Sequence, residues 1–363
     1  MPEDDYKNKI LQGNVLDILK TLPDNLVDMM VTSPPYWGLR DYGLPDSIFG
    51  GDSTCEHDWT KHVKHPAGGM GSKGANVGAN KNDFANMRDH DVISNTCSKC
   101  GAWKGQLGQE PNHNDYINHL YEIMQEVSRV VKDSGSIWIN LGDSYCGTGN
   151  KGNLTDPKYP KGRNGQSVAV NRTIKGIKEK SLVGIPDRFK LKMIDNGLIC
   201  RNEIIWHKPN QMPSSVKDRF TNDFEKFFFF TKEKEYYFEQ QIEEGVWAKL
   251  DSRAETGATL GEKGSKKQYA LNESGKYRKD KMRNMRCVWS INTKPLKEAH
   301  FAIYPEQLIE TPIMACCPED GLVMDIFFGS GTTGLVAKKL NRNYLGIELN
   351  PAYIQIAEKR IET

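Results

Sequence analysis

The sequence lacks several things, and each absence narrows its class. No apolar run approaches the roughly 20 residues that a membrane helix requires; the most conspicuous is Phe227-Phe228-Phe229-Phe230. The amino terminus, MPEDDYKNK, is charged where a signal peptide turns apolar, so a cytoplasmic protein with no membrane partner is expected. Cysteine is sparse, eight in 363 residues, which excludes a disulfide scaffold and leaves thiols or metal ligands. Excess charge of either sign is also missing: 49 Lys and Arg against 47 Asp and Glu leave +2. Taken whole, that is too balanced for a partner as acidic as nucleic acid.

Counted locally, the charge is uneven. From Ser144 to Lys180 the chain is net +6, and from Lys249 to Lys297 it is net +8, so the remainder carries −12. Both segments are rich in Gly, Ser and Asn with little apolar periodicity, the composition of solvated linkers or of polar loops ordered by a ligand. A third polar stretch, His65 to Asn82, has five glycines and reads as an insertion.

Short apolar runs lie between these stretches: 28–32, 136–141, 203–207, 226–231, 322–327 and 344–348. They suit buried strands of a mostly parallel sheet. Helical spacing predicts helices over 115–131, 186–196, 305–316 and 332–340. Alternating strand and helix implies an α/β fold with ligands at the carboxyl ends of the strands.

Two such ends carry chemistry. Asp325-Ile-Phe327-Phe-Gly329-Ser-Gly331-Thr332-Thr333 follows a strand and precedes a helix, where glycines allow close backbone approach and the helix start presents free N–H groups. Glu348, 23 residues past Asp325 at the next strand end, is placed to accept from ribose hydroxyls. No Gly-Lys-Ser/Thr follows the glycines, which excludes a phosphate loop. A plain tight turn is the alternative.

The pattern Asp-x-Phe-x-Gly-Ser-Gly-Thr-Thr resembles the S-adenosylmethionine site of the amino-group DNA methyltransferases. The resemblance implies that Phe327–Thr333 lines the methionine part, that Asp325 lies near its amino group and that Glu348 holds the ribose. Phe301 and Tyr304-Pro305 match the family segment that closes the cofactor pocket.

The second end is Thr32-Ser33-Pro34-Pro35-Tyr36-Trp37. Two prolines there form a rigid row of acceptors beside a flat ring, or a bland turn with core aromatics. The family signature is Asp/Asn/Ser-Pro-Pro-Tyr/Phe, and TSPPYW is similar to the version usual in N4-cytosine enzymes. Ser33 Oγ and the Pro34 carbonyl would bind the target amine, with Pro35 completing the turn and Tyr36 stacking on a flipped base. A C5-cytosine mechanism needs a cysteine nucleophile, usually in a Pro-Cys pair, which the chain lacks. Family members often carry Asp where Asn14 stands.

Catalytic turn before cofactor loop resembles the beta arrangement of these enzymes. It implies a Rossmann-like methyltransferase fold with a mostly parallel seven-stranded sheet, circularly permuted motif order, a small zinc lobe and an inserted target-recognition region. On this reading residues 1–50 carry the catalytic turn and 51–112 are a zinc-stapled insertion. Residues 113–240 continue the catalytic domain with a basic loop at 144–180, 241–299 recognise the target and 300–363 bind cofactor.

Cys55-x-His57 and Cys97-x2-Cys100 offer four zinc-type ligands for a structural site. His62, His65 and His90 are lesser candidates, and the other cysteines read as packing residues. Arg283, Asn284, Arg286 and Gln268 are candidates to read base edges.

The expected activity is methylation of double-stranded DNA, most simply at cytosine N4. The alternatives are an N6-adenine enzyme, an RNA or protein-amide methyltransferase, or a catalytically silent nucleic-acid-binding protein. A restriction endonuclease acting separately is a possible partner.

Overall fold

Phe227 to Phe230 show how the layers arise. A strand points successive side chains to opposite faces, and all four rings are buried, so the sheet they belong to must be covered on both sides. In the computed structural model, Phe227 and Phe229 enter one apolar cluster and Phe228 and Phe230 the other. The structure describes residues 3–38, 44–63, 90–147, 174–214, 216–244, 282–294 and 304–362.

The amino-terminal half contains β1 (Lys9–Gln12), α1 (Val15–Thr21), β2 (Val27–Thr32), β3 (Ser47–Phe49), β4 (Thr60–Val63), β5 (His90–Ile93), β6 (Trp103–Gly105), α2 (His113–Val130) and β7 (Val131–Leu141). Then come α3 (Ile185–Asp195), β8 (Ile199–His207), β9 (Phe224–Thr231), β10 (Ile242–Glu244), β11 (Met282–Asn284) and β12 (Val288–Ser290). The chain finishes with α4 (Glu306–Cys316), β13 (Leu322–Asp325), α5 (Thr332–Lys339), β14 (Asn343–Glu348) and α6 (Pro351–Glu362).

The main sheet runs β1-β14-β13-β2-β7-β9-β8-β12. Only β9 is antiparallel to its neighbours. The sheet has eight strands where seven were expected; β12, three residues long, pairs in parallel with β8 at one edge. Its single buried side chain, Trp289, leaves no period for a sequence reading to find. β12 comes from the segment read as the target-recognition region.

Alternation along the strands sorts the core into two layers. Met30, Ile137, Met324 and Leu345 pack with α1, α2 and α3, whereas Met29, Val31, Trp138 and Val323 pack with α4, α5 and α6. Trp138 stacks on Phe229 with ring centres 4.4 Å apart. The chain leaving β2 therefore returns on one face and the chain leaving β13 on the other. These two strands are neighbours, so a crevice opens between their carboxyl ends, the place where open α/β sheets bind ligands.

Phe228→Ala should lower stability by about 3–5 kcal/mol, the range for emptying a fully buried phenylalanine site. A depressed melting temperature in calorimetry is the expected result; melting with the wild type would contradict the packing of the α2 and α3 layer.

Candidate active site and metal cluster

Both chemistry-bearing loops start in this crevice, and one carboxylate joins them. Asp325 Oδ1 accepts from Thr32 Oγ1 at 2.6 Å and from the Phe327 N–H at 3.0 Å; Oδ2 accepts from Tyr304 Oη at 2.8 Å and from Thr333 Oγ1 at 2.5 Å. Asp325 is 1% exposed. Burial raises its pKa, and the four donors pull it back toward the charged form. The Tyr304 phenol is held well above its ordinary value by burial and by this carboxylate, so it stays a donor. Asp325, Tyr304 and Thr333 are thus brought together, and both Asp325 oxygens are engaged within the chain. Pro305 is buried at the start of α4, and Phe301 lies outside the described residues.

The loop after β13 turns through Gly329 (φ 50°) and Gly331 (φ 80°). Gly331 caps α5, and a side chain there would meet Ala357 Cβ at 2.7 Å. From α6, Arg360 Nη1 donates to the Ser330 carbonyl at 2.6 Å and more distantly to Thr332 Oγ1 at 3.4 Å, fixing the loop from behind. At the end of β14, Glu348 accepts from the Gly329 N–H and the Asn350 N–H, both at 2.7 Å. Burial raises its carboxyl above the ordinary range. Each oxygen keeps acceptor capacity beyond its one backbone bond.

A single cavity is lined by Phe327, Gly329 and Glu348 from this side and by Ser33 and Pro35 from the other turn. Asn14 also lines it, capping α1 through Oδ1 and donating from Nδ2 to Ser47 Oγ.

Ser33, Pro35 and Tyr36 are half-buried and Pro34 is buried. Tyr116 Oη donates to the Pro35 carbonyl at 2.9 Å. Ser33 Oγ lies 3.3 Å from Tyr36 Oη, which is itself within 2.8 Å of Glu225 Oε2 and 2.9 Å of Asn140 Oδ1. Lys208 Nζ pairs with Glu225 Oε1. Burial and the Glu225 carboxylate push the Tyr36 phenol well above its ordinary pKa, keeping its proton in place. The Tyr36 ring packs against Gly142, where a Cβ would come within 2.6 Å of ring Cε2 and 2.8 Å of Cδ2.

Glu225, Lys208, Asn140 and Gly142 were not legible as site residues. A signal existed in part: Asn140 is a polar residue inside a buried strand, and Glu225 stands two residues before the phenylalanine run. Such positions call for a partner.

The four cysteine and histidine ligands also converge. Their ligand atoms lie within 4.8 Å of one another, with Cys100 Sγ 3.4 Å from His57 Nδ1. Ligands of one tetrahedral zinc lie about 3.5–3.8 Å apart. The Asp58 N–H donates to Cys97 Sγ at 3.4 Å. His65 lies outside the described residues, as do the side chains of His62 and His90.

Most of each basic segment lies outside the described residues, but their roots are visible. Beside the catalytic turn, the Lys180 N–H donates to the Cys146 carbonyl at 2.9 Å, the Val183 N–H to the Ser144 carbonyl at 2.9 Å, and Ser144 Oγ to the Trp37 carbonyl at 2.9 Å. The second segment is rooted in the antiparallel pair β10 and β11. Arg283 and Arg286 both contact Glu243, at 3.0 and 2.6 Å, and Asn284 accepts from Gln240. Gln268 lies outside the described residues.

A family model described as DNA methylase matches residues 27–359. The type II methyltransferase M.Cfr9I of Citrobacter freundii is 32% identical over 97% of this chain and 87% of its own length. M.SmaI of Serratia marcescens is 31% identical over 97% of this chain and 90% of its own. Among solved structures, the PvuII DNA methyltransferase, described as cytosine-N4-specific, superposes with a TM-score of 0.54 at 16% identity, covering 98% of this chain and 86% of that one. At that identity the likeness concerns the fold.

Asp325→Ala should strand the donors of Thr32, Tyr304, Thr333 and Phe327 and cost at least about 3 kcal/mol. Asp325→Asn, which keeps an acceptor for Thr32 and Phe327, should cost less. Thermal melts of the ligand-free proteins read the difference, and an Ala variant as stable as wild type would refute the junction.

Proposed function

Because the chain belongs to the DNA methylase family, we propose that it methylates double-stranded DNA at the exocyclic amine of a base turned out of the helix. The methyl donor is S-adenosylmethionine and the acceptor is cytosine N4. The observation that carries this reading is a cavity shared by Ser33 and Pro35 on one side and Phe327, Gly329 and Glu348 on the other.

The cofactor suits the donor set. Glu348 has acceptor capacity for two ribose hydroxyls, and Ile326, Phe327 and Ile347 give an apolar surface for a purine. The glycines and the start of α5 let backbone N–H groups approach an anionic end. When bound, the cofactor supplies an activated methyl group.

The chain's own task is positioning. An exocyclic amine is a poor nucleophile because its lone pair is delocalised into the ring. Two acceptors that hold its hydrogens favour a pyramidal nitrogen whose lone pair is free. The Pro35 carbonyl already serves Tyr116, so Ser33 Oγ and the Pro34 carbonyl are the acceptors of this proposal. The Tyr36 ring is held at its hydroxyl by Glu225 and Asn140 and packs against Gly142, and in this proposal it stacks on a flipped base. Geometry and fixed dipoles then carry the rate. Ser33 in the first position of the turn supports cytosine over adenine. The two basic segments supply charge for phosphate contacts, and a separate restriction endonuclease is the partner such an enzyme implies.

DNA incubated with tritiated S-adenosylmethionine and digested to nucleosides should yield N4-methylcytosine. N6-methyladenine would move the acceptor to adenine, and label only in RNA or protein would overturn the DNA assignment. Ser33→Ala and Tyr36→Ala should each cut transfer about a hundredfold or more; full activity in either would remove the turn from the mechanism. Glu225→Gln, which leaves Lys208 without its charged partner and loosens Tyr36, should lower kcat/KM for DNA about tenfold with cofactor affinity unchanged. Equal kcat/KM would show that Tyr36 needs no such support.

A further inference from the structure

The lobe that carries Cys55, His57, Cys97 and Cys100 has the ligand cluster at one end and a wall of the cavity at the other. Ser47 and Phe49 from β3, with Gln106 and Leu107 just after β6, line the cavity. β3 and β6 are three-residue strands that form a two-stranded sheet, Ser47 opposite Gly105 and Phe49 opposite Trp103, with one further bridge from Trp103 to Thr96. An isolated two-stranded pair is marginal in water. Phe49 and Trp103 stack with His119, whose ring centre lies 5.0 Å from Phe49 and 5.4 Å from Trp103, and with Leu107 they join the edge of the main core.

The path from cluster to wall is short and continuous. The Cys97 N–H donates to the Ala102 carbonyl at 2.7 Å, and the Lys104 N–H to the Asn95 carbonyl at 2.7 Å. Gly51 packs so tightly that a Cβ would lie 2.7 Å from Ala102 Cβ and 2.8 Å from Cys100 Sγ. Beyond the wall, the Gly38 N–H donates to the Gly108 carbonyl at 2.8 Å, and a side chain on Gly108 would meet the Tyr36 carbonyl oxygen at 3.1 Å. Gln106 adds a side-chain oxygen that is buried without a hydrogen-bond partner, so a small displacement of the wall changes what it can bond.

We propose that a zinc ion held by Cys55, His57, Cys97 and Cys100 fixes this wall and the catalytic turn behind it, so that metal and S-adenosylmethionine bind cooperatively. The proposal rests on the cofactor reading above. Three cysteines and one histidine form a closed structural set, with no open position for substrate. Between β3 and β6 the described part of the lobe buries only Cys97 and Ala102 among its apolar residues, so it takes its order from the metal, and β6 joins it to the wall. Coupling is reciprocal: whatever factor the metal adds to cofactor affinity, the cofactor adds to metal affinity.

The test uses the full chain and S-adenosylhomocysteine, an unreactive probe of the cofactor cavity. Elemental analysis should find about one zinc per chain, lost in Cys97→Ser. Calorimetric titration should give a dissociation constant about tenfold weaker or more after chelation, with circular dichroism showing the sheet intact. Cobalt(II) in place of zinc provides a second arm that needs no metal-free protein. Its thiolate charge-transfer bands should shift when the probe is added, and its affinity should rise by the same factor. A purified protein without bound metal would overturn the site. Equal probe affinity with and without zinc, or unchanged cobalt bands together with unchanged cobalt affinity, would overturn the coupling. No probe binding to the zinc-loaded protein would overturn the cofactor reading itself.

Discussion

The Asp325 carboxylate is the constraint on which the site depends. It joins residues 293 positions apart, taking the hydroxyl of Thr32 at the end of β2 on one oxygen and the hydroxyls of Tyr304 and Thr333 on the other. Burying a charge costs several kcal/mol unless its lone pairs are satisfied, and here four donors do so. The catalytic turn begins at the next residue after Thr32, and the cofactor loop at the next after Asp325. Their relative placement is therefore set by the shortest possible link between adjacent strands.

The sheet makes that link possible. β2 and β13 can lie side by side because each is apolar on both faces and each is covered by helices from both layers. With the exits of the two strands on opposite faces, their loops diverge and leave space between them. The glycines of the second loop matter for the same reason. At Gly331, contact with Ala357 leaves no room for a side chain, so α6 can press the loop forward toward the cavity, where Arg360 holds it.

Local patterns explain what was legible in the sequence. The runs 226–231 and 322–327, the Gly-rich loop, Glu348, TSPPYW and the Cys/His spacings are each contiguous or nearly so; the first run lies within β9, and the second forms β13 but leaves the strand after Asp325. Elements with a weak local signature were missed. β1 and β12 are short edge strands, and α6 begins with Pro351 at its first position, a helix-start signal that was available. The support of the site was less legible still. Glu225 meets Tyr36 across 189 positions and Asn140 meets it across 104, and no spacing rule encodes such pairs. The only warning was a polar residue in or beside a buried run.

Net charge misleads for a related reason. The total of +2 averages two basic segments of +6 and +8 with a remainder of −12. Within about 8–10 Å at physiological salt, local charge governs what a phosphate backbone experiences. The root of the first segment is hydrogen-bonded to Trp37, one residue beyond Tyr36, so the segment starts beside the turn. A balanced composition is thus compatible with a nucleic-acid enzyme when the two signs are segregated along the chain.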